Sequence, residues 1–379
     1  MAIVKFGDIV RDVKINVDRE NNPYEHYVAG DHMDSEDLTI HRYGSFETDD
    51  VGPAFTRIFK PGQILYGSRR TYLKKVAVAD FEGICANTTF VLESKDEALF
   101  DNRLLPFIIL SDAFTRWSIA HSKGSTNPYV LFSDLADYEF DLPPLAEQKV
   151  LADKLWAAYR LKESYKKLLT ATEEMVKSQF IEMFGDPMVN DKQWSEYSCI
   201  SEITQIVLGS TPNSKEPSYW DGDIRWITPA EMTDQSYYIF DTVRHITDEG
   251  RKAANLTVLP EGAVLFSTRA PIGKVAIVGK EMCCNQGFKN FICSEKLNNV
   301  FLYYTLKLKK DYLCSLGTGT IFKELSKRTV ESLKIAVPPI ELQNQFETIY
   351  NQADKSGFEL RKSIDAIDAV IKSLINGIK

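Results

Sequence analysis

Leu142-Pro143-Pro144-Leu145-Ala146-Glu147-Gln148 and Val337-Pro338-Pro339-Ile340-Glu341-Leu342-Gln343 decide how this chain is built. The second stretch repeats the first at an offset of 195 residues, through to the closing glutamine. A double proline stops a strand, and proline is well placed in the first turn of a helix, so a helix is expected after each pair. Alternating steps of four and three from Leu151 reach Leu155, Ala158, Lys162, Tyr165, Leu169, Thr172, Val176, Gln179 and Met183. The same walk from Phe346 reaches Tyr350, Ala353, Gly357, Leu360, Ile364, Ile367, Ile371, Leu374 and Ile378. Both are 3.5-residue seams, mostly apolar in the first copy and nearly all apolar in the second. No proline interrupts either, so each helix runs roughly 38 to 40 residues, about 55 to 60 Å at 1.5 Å per residue. A helix of that length with one apolar stripe needs a partner stripe, and two copies in one chain supply each other. The alternative is two separate amphipathic helices, each covering its own domain.

The duplication extends upstream. Gly62-Gln63-Ile64-Leu65-Tyr66-Gly67-Ser68-Arg69 aligns with Gly262-Ala263-Val264-Leu265-Phe266-Ser267-Thr268-Arg269 at an offset of 200. Lys75-Val76-Ala77-Val78 meets Lys274-Val275-Ala276-Ile277 at 199, and Cys85-Ala86-Asn87 meets Cys283-Cys284-Asn285 at 198. Val28 to Met33 can be laid on Ile227 to Met232. Short strands are expected at Ile64 to Tyr66, Val76 to Ala79 and Thr88 to Leu92, and again at Val264 to Ser267, Val275 to Val278 and Asn290 to Cys293. Gly185 followed by Pro187 reads as the end of the first helix. The expected organisation is therefore α/β: two mixed α/β domains at 1–142 and 185–336, separated by long antiparallel helices at 143–184 and 337–379 acting as a coiled-coil spacer.

At 379 residues, with 44% hydrophobic and 26% charged side chains, the composition is that of a folded protein of more than one domain. No run approaches the ~18 apolar residues of a membrane span, and the N-terminus lacks a basic region leading into an apolar one, so a cytoplasmic protein with no membrane partner is expected. The six cysteines include no C-x-x-C pair, and the five histidines show no metal-ligand spacing, so no metal is expected. The net charge of -8 bears on any nucleic-acid role, because phosphate binding usually shows as a basic excess. Locally the balance reverses. Val51 to Ala79 holds no carboxylate but contains Arg57, Lys60, Arg69, Arg70, Lys74 and Lys75, which permits a positive face on an acidic molecule.

Several further blocks occur in order in the two halves. They are Lys60-Pro61-Gly62-Gln63-Ile64-Leu65-Tyr66 with Val76-Ala77-Val78, then Gly209-Ser210-Thr211-Pro212 and Tyr219-Trp220-Asp221-Gly222-Asp223-Ile224-Arg225-Trp226-Ile227. Arg269-Ala270-Pro271-Ile272-Gly273-Lys274 and Asn285-Gln286-Gly287-Phe288 follow. Together with the two Pro-Pro blocks, over nearly the whole chain, these make the sequence resemble the specificity subunits of Type I restriction-modification enzymes. The first half lacks the Gly-Ser-Thr-Pro and Trp-Ile blocks, so the two halves have diverged. The resemblance implies two target recognition domains that each read half of a bipartite site in double-stranded DNA, with the helices as spacer and docking site. It implies no catalytic residue in this chain and no cofactor bound by it. The expected partners are two methyltransferase subunits, which carry S-adenosylmethionine, and restriction motor-nuclease subunits.

Base edges are read by Arg, Lys, Asn and Gln, while phosphates are met by Lys, Ser, Thr and backbone amides, so polar loops are the place to look. The candidates in the first domain are Arg69, Arg70, Lys74, Lys123, Ser125, Thr126, Asn127 and Tyr129. Those in the second are Ser210, Thr211, Lys215, Arg269, Lys274, Lys289, Thr318 and Lys323. Trp220, Trp226 and Tyr219 read as packing residues. Two other classes compete. Asn127-Pro128-Tyr129 is similar to the Asn-Pro-Pro-Tyr loop of DNA adenine methyltransferases but lacks the second proline, and no glycine-rich cofactor loop follows a first strand. A two-headed scaffold that binds only proteins is the other reading; salt-dependent, sequence-selective DNA binding separates it from a DNA reader.

Overall fold

The computed structural model describes residues 2–18, 21–197, 199–234, 236–269, 271–319 and 323–377. The chain divides into two compact units, one formed by Met1–Lys167 with Leu360–Lys379, the other by Leu168–Glu359. The division cuts through both long helices, Leu145–Phe184 and Ile340–Ile375, so each unit holds one α/β body and a half of each helix.

In the first unit a four-stranded antiparallel sheet takes the order Val10–Asp12, Thr89–Ser94, Ile64–Gly67, Val76–Val78. A second sheet orders Gly44–Ser45, His26–Val28, Gly83–Ala86 and Phe55–Phe59, with Val28 parallel to Cys85. The second unit repeats the pattern. Thr204–Leu208, Lys289–Cys293, Val264–Phe266 and Val275–Val278 form the matching sheet, extended by Tyr238–Ile239. Arg244–Ile246, Trp220–Ile227 and Met282–Cys284 form the other, with Ile227 parallel to Cys284. The matched apolar alternation of the strands explains the duplicated cores. Val28, Met33, Leu65, Ala77 and Cys85 make one cluster, and Ile227, Met232, Leu265, Ala276 and Cys284 its counterpart. Cys85 thus matches Cys284, not Cys283 as the 198-residue alignment had it. A one-residue slip turns a strand side chain to the opposite face, and Cys283 packs instead with Trp220, Trp226 and Ile246.

Each body is closed where its helix begins. Ala2–Lys5 pairs antiparallel with Glu139–Leu142, and Glu196–Tyr197 with Ile335–Ala336, so the strand before each Pro-Pro returns to the start of its own body. The glutamine after each proline pair then ties helix to body. Gln148 accepts from the Asp101 N–H at 2.9 Å and donates to the carbonyls of Leu99 at 3.0 Å and Pro143 at 2.8 Å. Gln343 accepts from the Asn298 N–H at 2.8 Å and donates to Lys296 at 3.1 Å and Pro338 at 2.8 Å. Both glutamines are buried. The Gly-rich turns are matched as well: Gly62 (φ 86) and Gly262 (φ 85) sit in the left-handed region, their carbonyls accepting at 3.0 Å from Asn102 and Asn299. The first helix ends at Gly185 (φ 79), whose N–H donates to Ile181 at 2.8 Å, a left-handed C-terminal cap.

No described residue of either heptad walk is exposed; Ile378 lies outside the described residues. In the first unit Leu151, Leu155 and Ala158 share a cluster with Ile367, Ile371 and Leu374. In the second, Val176 and Met183 share one with Phe346, Tyr350 and Ala353. Tyr165, Leu169, Leu360 and Ile364 are half-buried and belong to neither. The seam is wider at its ends than the walk foresaw, because Ala152, Tyr159, Phe180, Phe184 and Ile375 are buried beside it. There each helix meets a body as well as the partner stripe, which broadens the apolar face beyond two positions in seven.

Candidate nucleic-acid interface

Backbone pairing closes one loop in each unit. In the first, Lys123 and Tyr129 exchange backbone hydrogen bonds at 2.7 and 2.9 Å and close Gly124-Ser125-Thr126-Asn127-Pro128 into a loop, with Gly124 at φ 87. The Arg70 N–H donates to the Pro128 carbonyl at 2.7 Å, and Arg69 is bridged to Tyr129. The fold thus gathers Arg69, Arg70, Lys123, Ser125, Thr126, Asn127 and Tyr129, all exposed, around one turn. In the second unit Thr318 and Glu324 exchange the equivalent bonds at 3.1 and 2.9 Å, and Arg269 is bridged to Glu324. Thr318, Lys323 and Arg269 are exposed.

Three candidate lysines are committed to protein acceptors. Lys74 meets Glu36 at 2.8 Å and Asp112 at 3.5 Å. Lys274 donates to the carbonyls of Pro229 and Met232. Lys289 is buried and bonds Thr268 Oγ1 at 3.0 Å and Glu324 at 3.2 Å. The basic stretch Val51 to Ala79 does not form one continuous positive face either. Arg57 is buried against Asp12 at 2.8 Å, and Lys75 donates to the Gly30 carbonyl, which leaves Lys60, Arg69 and Arg70 exposed. Sequence runs show only near neighbours, whereas these partners come from 21 to 45 residues away.

The remaining candidates of the second unit lie on another turn. Ser210 is half-buried, its N–H donating to Cys284 and its carbonyl accepting from the Trp226 indole, both at 3.0 Å. Thr211 is exposed and donates its hydroxyl to Gln286, and Lys215 is exposed nearby in sequence. Gln286 was not among the candidates, although its block Asn285-Gln286-Gly287-Phe288 stood out; an exposed amide offers the donor and acceptor pair that reads adenine. Trp220 and Trp226 are buried against each other, ring centroids 5.2 Å apart, with the Arg244 guanidinium 3.5 Å over Trp220. Their faces are taken by protein, in keeping with a packing role. Lys123 pairs with Asp134 at 2.9 Å but stays half-exposed.

Comparison with known proteins places this frame. The profile of the Type I restriction modification DNA specificity domain matches residues 17–173 and again 192–367. The chain is 37% identical over 166 residues to the Type I restriction enzyme MjaIX specificity subunit of Methanocaldococcus jannaschii, covering 43% of this chain and 38% of that one. It is 24% identical over 189 residues to the HindI specificity subunit of Haemophilus influenzae, covering 48% and 41%. The chain thus spans about two fifths of the length of these curated relatives. The crystal structure of the Type-I restriction-modification system S subunit from M. genitalium shares the fold at a TM-score of 0.63 and 13% identity, over 99% of this chain and 95% of that one. A chain from a structural study of complex assembly and conformational transition in the type I R-M system does so at 0.57 and 20%, over 99% and 96%. This chain therefore belongs to the Type I restriction modification DNA specificity family and carries two copies of its domain.

Proposed function

We propose that the chain is the sequence-reading subunit of a Type I restriction-modification enzyme, each unit recognising one half of a bipartite site in double-stranded DNA. The observation that carries the reading is the duplicated frame with divergent tips. The same strand, arginine and backbone-closed loop recur in both units, while the described exposed side chains beside them differ, as two unlike half-sites require. Phosphate contacts position a protein and base contacts specify, so the unlike loop residues suit the second task, whereas an arginine shared by both units can meet a phosphate or, where its orientation differs between the units, a base. The long helices, packed antiparallel as a coiled-coil spacer, convert helix length into the separation of half-sites, which on one DNA face is a turn of about 34 to 36 Å or a multiple of it. In this reading the chain has no catalytic residue and holds no cofactor. Two methyltransferase subunits docked on the helices bring S-adenosylmethionine, and motor-nuclease subunits cut unmodified DNA. Among the described residues no helix is long and apolar enough to cross a membrane, which is compatible with work in the cytoplasm.

The test is co-expression with its methyltransferase subunit in a host lacking adenine methylation, with modified adenines mapped by single-molecule sequencing. A split, asymmetric motif that appears only with this chain is expected. The same motif from the methyltransferase alone would overturn the reading.

A further inference from the structure

Arg69 and Arg269 occupy equivalent places, each bridged through its backbone to the residue that closes the loop. That residue is Tyr129 in the first unit and Glu324 in the second. A second exchange accompanies the first. The ladder sets Tyr66 opposite Phe90, and the pairing of Val264 with Phe291 and of Ser267 with Phe288 sets Lys289 opposite Phe266. Lys289 therefore stands where the first unit has Phe90, and both are buried, 6% and 8% exposed.

A buried ammonium is costly without acceptors. Lys289 finds them in Thr268 Oγ1 at 3.0 Å and Glu324 Oε1 at 3.2 Å. The other oxygen of the same carboxylate, Glu324 Oε2, lies 2.9 Å from Arg269 Nε. Burial pushes the Glu324 carboxyl up, but Lys289 and Arg269 more than offset this and hold it below the ordinary range, so it is ionised at neutral pH. An arginine held through Nε can still offer its terminal nitrogens to a guanine edge or a phosphate. Arg69, by contrast, is exposed and pairs with no carboxylate among the described residues.

We propose that Glu324, anchored by Lys289, is a positioning residue that sets the Arg269 guanidinium for contact with the second half-site, whereas Arg69 is oriented only on binding. The inference rests on the DNA-recognition reading. Fixing a long side chain before binding removes part of the ordering cost of the complex. It also gives the two units different tolerance of altered sequence, the second being the stricter.

The experiment uses the full chain with its methyltransferase subunit and reads methylation across the host genome. Three variants are compared: Arg269→Ala, Glu324→Ala with Lys289→Met, and all three changes together. The paired change replaces the buried Lys289 ammonium and its part-exposed carboxylate partner by apolar groups, as Phe90 does for the lysine in the first unit, so the fold is kept. Arg269→Ala and the paired change should each relax the same base position of the second half-site about ten-fold. The first half-site should be unaltered, and the triple variant should be no worse than Arg269→Ala. Full discrimination in the paired variant while Arg269→Ala loses it would overturn the role of Glu324, and so would no effect of Arg269→Ala. Equal relaxation of both half-sites would also overturn it, marking a loss of fold. Failure of the unaltered chain to direct any split motif would instead remove the recognition reading itself.

Discussion

The two units attach the same pair of helices to the same kind of body by different chemistry. In the first, apolar contacts such as Trp156 on Phe107, 5.3 Å between ring centroids, are joined by a polar cluster. Tyr159 donates to Asp37 at 2.6 Å and accepts from the Leu38 N–H at 2.8 Å, and Lys166 reaches Asp37 at 3.0 Å, with His41 and Glu163 beside them. In the second it is aromatic: Phe180 packs against Phe184, Phe301, Tyr304 and Phe346 at centroid distances of 4.9 to 5.7 Å. What the duplication keeps is the backbone frame and the glutamine tie; the side chains that hold the helix are exchangeable so long as burial and hydrogen bonding are satisfied.

The sharpest way to separate the two attachments is Phe180→Ala. Phe180 is 1% exposed, and truncating a buried phenylalanine costs about 3–5 kcal/mol. Hydrogen exchange mapped along the chain should show loss of protection in the second unit, with the first little changed; equal loss in both would mean that the two units do not unfold separately. Next come Gln148→Ala and Gln343→Ala. Each removes three hydrogen bonds and strands a backbone N–H, so each should cost about 2 kcal/mol, in the first and second unit respectively. Markedly unequal losses of protection would break the equivalence of the two ties.

The smallest expected effect is that of acid. Burial pushes the Asp37 carboxyl up, but hydrogen bonds from Tyr159 and the Thr39 N–H, with Lys166 beside it, outweigh this and hold it at about 2 against an ordinary 3.8. A carboxyl held low in the folded state stabilises the fold above its unfolded value, and that contribution is lost as pH falls from about 4 towards 2. At 1.36 kcal/mol per unit the full contribution is about 2 kcal/mol, of which about 1 kcal/mol is lost by pH 3. Acid should therefore loosen the first unit ahead of the aromatic second, and Asp37→Asn should abolish the difference in that window. An unchanged acid profile for Asp37→Asn would show that other carboxylates govern it.

The helices and the duplication were legible because their signals are local or periodic. Pro-Pro begins each helix, Gly185 ends the first, and the 3.5-residue walk marks a face that stays covered along its described length. The outward view failed where a side chain's fate depended on distant partners. The alignment at Cys85 needed strand pairing to choose Cys284 over Cys283, since a one-residue slip reverses the face. Tyr159 and Phe180 sit off the walk and became visible only when each helix met its body.

The candidate site divides the same way. That an arginine recurs at matched places in the two copies was written in the residues themselves; that a loop is closed beside each was not. Which charges remain available outside was decided by tertiary structure, because an ammonium or guanidinium is neutralised by whatever carboxylate the fold brings within a few ångströms, whatever its distance along the chain. Arg57 met Asp12, Lys74 met Asp112, and Lys289 met Glu324. Arg69 and Arg70 kept their exposure, and Arg269 gained a fixed direction.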